Sequence, residues 1–152
     1  MSFAPFPHQY ASTAVAQPEG PDEVRGPGLS AIAMDAPAEF GGPGTHWSPE
    51  ALLAATVAEC FALTFKSVAR ASKLEWHGLT CEAVGTLDRV DRATQFTAFD
   101  VRARLEVPAG TDRDRAHRLL EKAEQVCLVT NSLRSDVRFE GEVVEAPAVA
   151  PS

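Results

Sequence analysis

From Ala51 to Phe65 the chain carries a single charged residue, Glu59. Leu53, Val57, Cys60, Phe61, Thr64 and Val68 recur at the three- and four-residue spacing of one helix face. Leu52, Ala54, Ala55, Ala58, Ala62, Leu63 and Phe65 cover most of the remaining circumference. A helix apolar nearly all round is a buried helix, so this one is predicted at the centre of the fold, with Glu59 needing an opening, a partner or an interface. Its start is well marked. Ser48 suits the N-cap, Pro49 the first helical position and Glu50 the positive end of the helix dipole. The helix is predicted to end near Ser72.

The pattern changes to period two further on. In 79–87, Leu79, Cys81, Ala83 and Leu87 share one strand face. In 97–107, Phe99, Val101, Ala103, Leu105 and Val107 face one way, and Asp100, Arg102, Arg104 and Glu106 the other. The polar stretch 88–95 reads as the hairpin connection between these strands. Thr111 is the expected cap of a helix running to about Cys127, with Asp114 at the capping-box position. That helix is amphipathic, with Ala116, Leu119, Leu120, Ala123, Val126 and Cys127 on its apolar stripe. A last alternating strand spans 137–143, with Val137, Phe139 and Val143 inward. Before the central helix, 10–16 and 29–34 are strand candidates, the second apolar on both faces as in a strand buried between layers. The segment 18–28 between them is dense in turn formers and reads as an irregular loop. The end, 147–152, reads as a disordered tail. The order of elements predicts an α+β fold with antiparallel strands, built as one domain over 1–146.

Composition narrows the function. With Lys+Arg 14 against Asp+Glu 21, the net charge is −7, the wrong sign for a phosphate backbone, so no nucleic-acid partner is expected. No apolar run approaches the ~20 residues of a membrane helix, and no cationic, apolar leader opens the chain, so no membrane association is expected. Three cysteines, Cys60, Cys81 and Cys127, make an odd count that argues against a secreted disulfide scaffold and for a reducing cytoplasm. His8, His46, His77 and His117 are scattered, and no Cys/His spacing suits zinc.

By composition, the three cysteines read as small buried hydrophobes, the commonest fate of a free thiol. The alternative pairs Cys60 with Cys127 as attacking and resolving thiols, although 67 positions (127 − 60) separate them.

The segments around these two cysteines carry a resemblance. Pro49-Glu50-Ala51-Leu52-Leu53-Ala54-Ala55 with Ala58-Glu59-Cys60-Phe61, followed by Leu119 through Cys127 to Leu133, is similar to the osmotically inducible protein C family, which includes the organic hydroperoxide resistance proteins. The upstream Pro37-Ala38-Glu39-Phe40-Gly41-Gly42, with Gly44-Thr45, looks like the family's loop into its central helix. The resemblance implies an intertwined homodimer in which curved antiparallel sheets surround the buried central helices. It implies a stress-response antioxidant peroxidase for organic hydroperoxides. The Cys60 thiolate would attack the peroxide, Cys127 would resolve the sulfenic acid to a Cys60–Cys127 disulfide, and an external dithiol would reduce it. In members that use lipoyl groups that dithiol is dihydrolipoamide. No metal, flavin or haem takes part, and Cys81 is left a structural role.

A peroxidatic thiol must ionise from an unperturbed pKa near ~8.5, which calls for a nearby cation. The family supplies an arginine held by the acid that matches Glu50. Arg25 is the only basic residue before Lys66, which makes it the candidate, with a plain solvent-exposed loop arginine as the equal alternative. Two positions depart from the family. Glu59 stands where relatives carry a small residue; its charge would either raise the Cys60 pKa or pair with Lys66 or Arg70. His46-Trp47 replaces small polar residues, with Trp47 read as packing before a wall of an alkyl-peroxide pocket. A second functional class stays open: the same dimeric fold with weak or no peroxidase activity, binding a small apolar ligand or performing other thiol chemistry.

Overall fold

A computed structural model describes residues 3–146. It contains two three-stranded sheets and three α-helices. Contacts gather into two compact units, one up to Leu52 and one from Leu53 on.

In the first unit, β1 (Thr13–Val15), β2 (Asp22–Arg25) and β3 (Ile32–Met34) form an antiparallel meander in that order. The segment expected to be an irregular loop therefore contains the middle strand. Asp22-Glu23-Val24-Arg25 has no apolar alternation to reveal it; it is held by backbone pairing to both neighbours, Val24 standing opposite Ala14 and Ile32. The expectation that 29–34 is covered on both faces is also corrected, since only Met34 of β3 is buried. A 3₁₀ turn (Ala38–Phe40) follows. A Cβ on Gly42 would lie 1.7 Å from the Ala36 carbonyl oxygen, so only glycine permits this fold-back. A bridge between Met34 and Trp47 then leads to the central helix. Ser48 is its cap as expected: Ser48 is buried, and its Oγ accepts a hydrogen bond from the Ala51 backbone N–H at 3.1 Å.

Helix α1 spans Pro49–Ala71. Its buried residues are Val57, Phe61, Phe65, Val68 and Ala69, which form one stripe, whereas Glu59, Leu63, Lys66 and Arg70 are exposed. The expectation of burial all round is thus met on one face only within the chain. The expectation that no segment approaches a membrane span is likewise corrected. At 23 residues, with a mean hydropathy of 1.5 over its best window, α1 is long and apolar enough by composition. Its apolar side chains are used in packing: Phe61, Phe65 and Val68 share a core with Ala103, Leu105 and Val107 of the second sheet.

That sheet runs β4 (Gly78–Val90), β5 (Ala93–Val107) and β6 (Asp136–Glu145). The inward residues of β5 are the predicted ones, Phe99, Val101, Ala103, Leu105 and Val107, all buried. The hairpin is tighter than expected. Strand pairing continues to Val90 and Ala93, leaving only Asp91 and Arg92, both at positive φ (49° and 69°), as the turn. Two-residue turns with positive φ match the right-handed twist of the strands, and here no glycine advertises one. A bulge at Thr86/Leu87 shifts the register, and Leu87 is left at the edge of exposure.

The cap of α2 (Arg113–Gln125) is Asp112, one residue beyond the expected Thr111; Asp112 accepts from the Arg115 backbone N–H, and the Thr111 hydroxyl instead donates to the Pro108 carbonyl. A one-turn helix, α3 (Leu128–Asn131), follows. The excursion through α2 and α3 returns the chain so that β6 pairs parallel to β5, which corrects the expectation of antiparallel strands. A helical crossover is how two adjacent strands come to run the same way. The register aligns Asp100 with Arg138, Arg102 with Glu140 and Arg104 with Glu142 on the outer face. All three pairs form ion pairs, the shortest at 2.8 Å between Arg138 and Asp100. The predicted tail, 147–152, lies outside the described residues.

Candidate active site

Cys60 lies mid-way along α1, half-buried, one position before the buried Phe61. Cys127 is placed by the end of α2. The Val126 N–H still reaches back to the Lys122 carbonyl, the Cys127 N–H reaches Glu124, and the chain then breaks into extended backbone at Cys127 (φ −66°, ψ 111°), the N-cap of α3. Its carbonyl accepts from the Asn131 N–H and the Thr130 hydroxyl, both at 3.1 Å. The side chain is turned inward, and Cys127 is only 1% exposed.

The two thiols are neighbours, both of them free cysteines, and Cys127 is among the groups that act on the Cys60 thiol. Burial pushes the Cys60 thiol above its ordinary value. The Val129 backbone N–H opposes this by donating to the sulfur, the Cys127 thiol pushes up again, and the Thr64 hydroxyl pulls down, with a net upward shift. The third cysteine is close by. Cys81, on the inner face of β4 opposite Ala103, packs against both hydrophobic clusters of this unit. Burial first, then the charges of Cys127 and Glu59, push its thiol from 9.0 up to about 11. At neutral pH such a thiol is protonated and a poor nucleophile.

The polar candidates are placed differently. Arg25 ends β2 on the exposed side, and its guanidinium is paired with Glu23. Among the described residues no ion pair joins Arg25 to Glu50. Glu50 sits in the first turn of α1, and its Oε2 is buried without a hydrogen-bond partner. A buried carboxylate oxygen left unpaired is costly, and it marks a seat for a donor. Glu59 is exposed; its charge reaches Cys81, and no ion pair joins it to Lys66 or Arg70. Trp47 is half exposed and, with Ile32 and His46, lines an open cavity of about 540 Å³.

Two groups on the Cys60 sulfur escaped the sequence reading. The Val129 N–H gives no side-chain signal. Thr64 was visible only as a member of the apolar stripe; its signal was its position four residues after Cys60, one helical turn along the same face.

Comparison with known proteins places these features. Residues 42–142 match the family of OsmC-like proteins. An organic hydroperoxide resistance protein of Xanthomonas axonopodis pv. citri (strain 306) is 32% identical over 105 residues, covering 68% of this chain and 72% of that protein. An OsmC-like protein of unknown function from Vibrio cholerae has the same fold, with a TM-score of 0.80 at 17% identity, over 88% of this chain and 99% of that one. An organic hydroperoxide resistance protein from Legionella pneumophila superposes with a TM-score of 0.71 at 26% identity, over 90% of this chain and 96% of its own. With its two cysteine segments on this fold, the chain belongs to the OsmC-like protein family.

Proposed function

We propose that the protein is a thiol-dependent peroxidase that reduces organic hydroperoxides to alcohols. The observation that carries this reading is the contact between Cys60 and Cys127, supported by the names of the hydroperoxide resistance relatives. The Cys60 thiolate attacks the peroxide oxygen, the O–O bond breaks, and the alkoxide takes up a proton to leave as the alcohol. Cys60 is then a sulfenic acid, and the Cys127 thiol condenses with it, forming the disulfide and releasing water. An external dithiol, a lipoyl group among the options, returns both cysteines to thiols by exchange.

Activation is the demanding step, because burial and Cys127 together hold Cys60 as the neutral thiol. Arg25, oriented by Glu50, is the proposed source of positive charge. The unpaired buried Oε2 of Glu50 supports this, since a guanidinium fork would satisfy it. The proposed working form is an intertwined homodimer in the cytoplasm. Leu63 is exposed on α1, and among the described residues up to Leu52 only Met34 and Ser48 are buried, so a second copy has apolar surface to cover. A stable monomer at micromolar concentration by native mass spectrometry would count against the dimer.

The raised Cys60 thiol favours a second reading, in which the fold is kept for binding a small apolar ligand with weak or no turnover. The test is peroxide consumption with cumene hydroperoxide and hydrogen peroxide, using dithiothreitol and dihydrolipoamide as reductants. The peroxidase reading expects rapid, Cys60-dependent turnover of the organic peroxide. Equal turnover by Cys60→Ser, or none by the native protein, removes it.

A further inference from the structure

Beyond its first turn, α1 carries three charged residues, Glu59, Lys66 and Arg70, and all three are exposed. With the exposed Leu63 they recur at spacings of four, three and four, a straight stripe of the kind that seats a second helix. The stripe lies on the side away from Val57, Phe61, Phe65 and Val68, which are buried in the chain's own core. Nothing within the chain answers these charges. Among the described residues none of the three forms an ion pair. Glu59 and Lys66, seven positions apart, are separated by about 10.5 Å along the axis, too far to meet on one helix. Lys66 and Arg70 stand at the four-residue spacing where like charges repel.

The order of the charges selects the partner. An acid at one end and two cations at the other make the stripe complementary to itself when reversed. A second copy lying antiparallel, about a two-fold axis beside Leu63, sets each Glu59 against the partner's Lys66 and Arg70, and symmetry makes the match twice. A parallel copy would stack like on like. Leu63, 54% exposed in the single chain, is then covered at the centre of the contact. Ion pairs of this sort add little affinity; what they decide is direction and register, because the wrong arrangement opposes like charges.

We propose that Glu59 is a self-recognition residue: it holds two copies of the chain antiparallel along α1, in the register that pairs each Glu59 with the partner's Lys66 and Arg70. The proposal rests on the homodimer reading, to which it adds the face, direction and register of contact; it does not depend on the peroxidase reading.

The experiment co-expresses two full-length variants in equal amounts and reads the dimers by native mass spectrometry. Glu59→Lys makes the stripe wholly positive, and Lys66→Glu with Arg70→Glu makes it wholly negative; the two chains differ in mass, so each dimer is identified. Random pairing gives about half heterodimer, whereas opposed stripes should give a heterodimer at least about fivefold more abundant than the two homodimers together. Each variant alone should dissociate on dilution at least about tenfold more readily than the native protein, and the chain reversed at all three positions should return to within about threefold of it. Should a reversed chain fail to fold, Glu59→Gln and the pair Lys66→Gln with Arg70→Gln carry the same prediction: each weakens the dimer about threefold or more, and their losses do not add, since both remove the same pairs. A native dimer whose reversed chains pair at random, or whose neutral variants associate like the native protein, overturns the register and leaves the homodimer standing. A native chain that is monomeric at micromolar concentration overturns both.

Discussion

Cys60 and Cys127, 67 positions apart in the chain, are neighbours whose thiols act on each other, one from the middle of α1 and the other from the cap of α3. Neighbouring thiols can close a disulfide where their Cα atoms come to about 4.4–6.8 Å, most often ~5.5–6 Å. Treatment with one equivalent of cumene hydroperoxide should therefore produce a Cys60–Cys127 disulfide, seen as a loss of two mass units and a linked tryptic peptide. Cys60→Ser should abolish peroxide consumption. Cys127→Ser should let Cys60 proceed to sulfinic acid, and Cys81→Ser should change turnover less than about twofold.

Arg25 and Glu50 give the prediction with the most structural consequence. Arg25 is now paired with Glu23 and exposed, while Glu50 keeps a buried oxygen without a partner. If the guanidinium moves to Glu50 in the working enzyme, Arg25→Ala should raise the Cys60 pKa and slow peroxide reduction at least tenfold. Glu50→Gln should reproduce most of that loss. Glu23→Gln, which frees the guanidinium, should not slow the reaction. Stopped-flow peroxide consumption across pH 6 to 9 measures all three.

Cys81 should make the fold sensitive to alkali. Its thiol is raised from 9.0 to about 11 in the folded chain, so above pH 9 the unfolded state releases a proton that the folded state retains. Stability is then complete below pH 9 and is lost as the pH rises towards 11. Cys81→Ala should flatten the dependence of the urea midpoint on pH over that window. A midpoint that falls equally in both proteins would assign the alkaline loss to other groups.

Phe65 tests the packing of the central helix. It is fully buried and meets Trp76 edge-on, with ring centroids 5.6 Å apart. Phe65→Ala should destabilise the protein by about 3–5 kcal/mol, from lost burial and the cavity left behind. Leu63→Ala, on the exposed side of the same helix, should cost the isolated chain under about 1 kcal/mol. A much larger Leu63 effect that grows with protein concentration would place a second copy on that face.

What the sequence determined alone was whatever repeats locally. The Ser48-Pro49-Glu50 start of α1, the inward face of β5 from Phe99 to Val107 and the buried stripe of α2 at Ala116, Leu120 and Ala123 were all legible. Each is a periodic pattern whose period the backbone itself imposes. The two cysteine segments were legible as a resemblance. The tertiary structure decided what depends on partners distant in the chain. Asp22–Arg25 became a strand because two neighbours satisfy its backbone, not because of its side chains. Strand β6 runs parallel because α2 and α3 carry the chain across before it pairs, and the charges of Asp100, Arg102 and Arg104 meet complements only in that register. Asp91 and Arg92 turn the hairpin in a conformation for which their identities give little warning. The Val129 N–H at the Cys60 sulfur is a backbone group, present in every residue and aimed only by the fold. The meeting of Cys60 with Cys127 follows the same reasoning: helix periodicity puts each thiol on an inner face, and only the packing of α1 against the turn after α2 decides that the two faces meet.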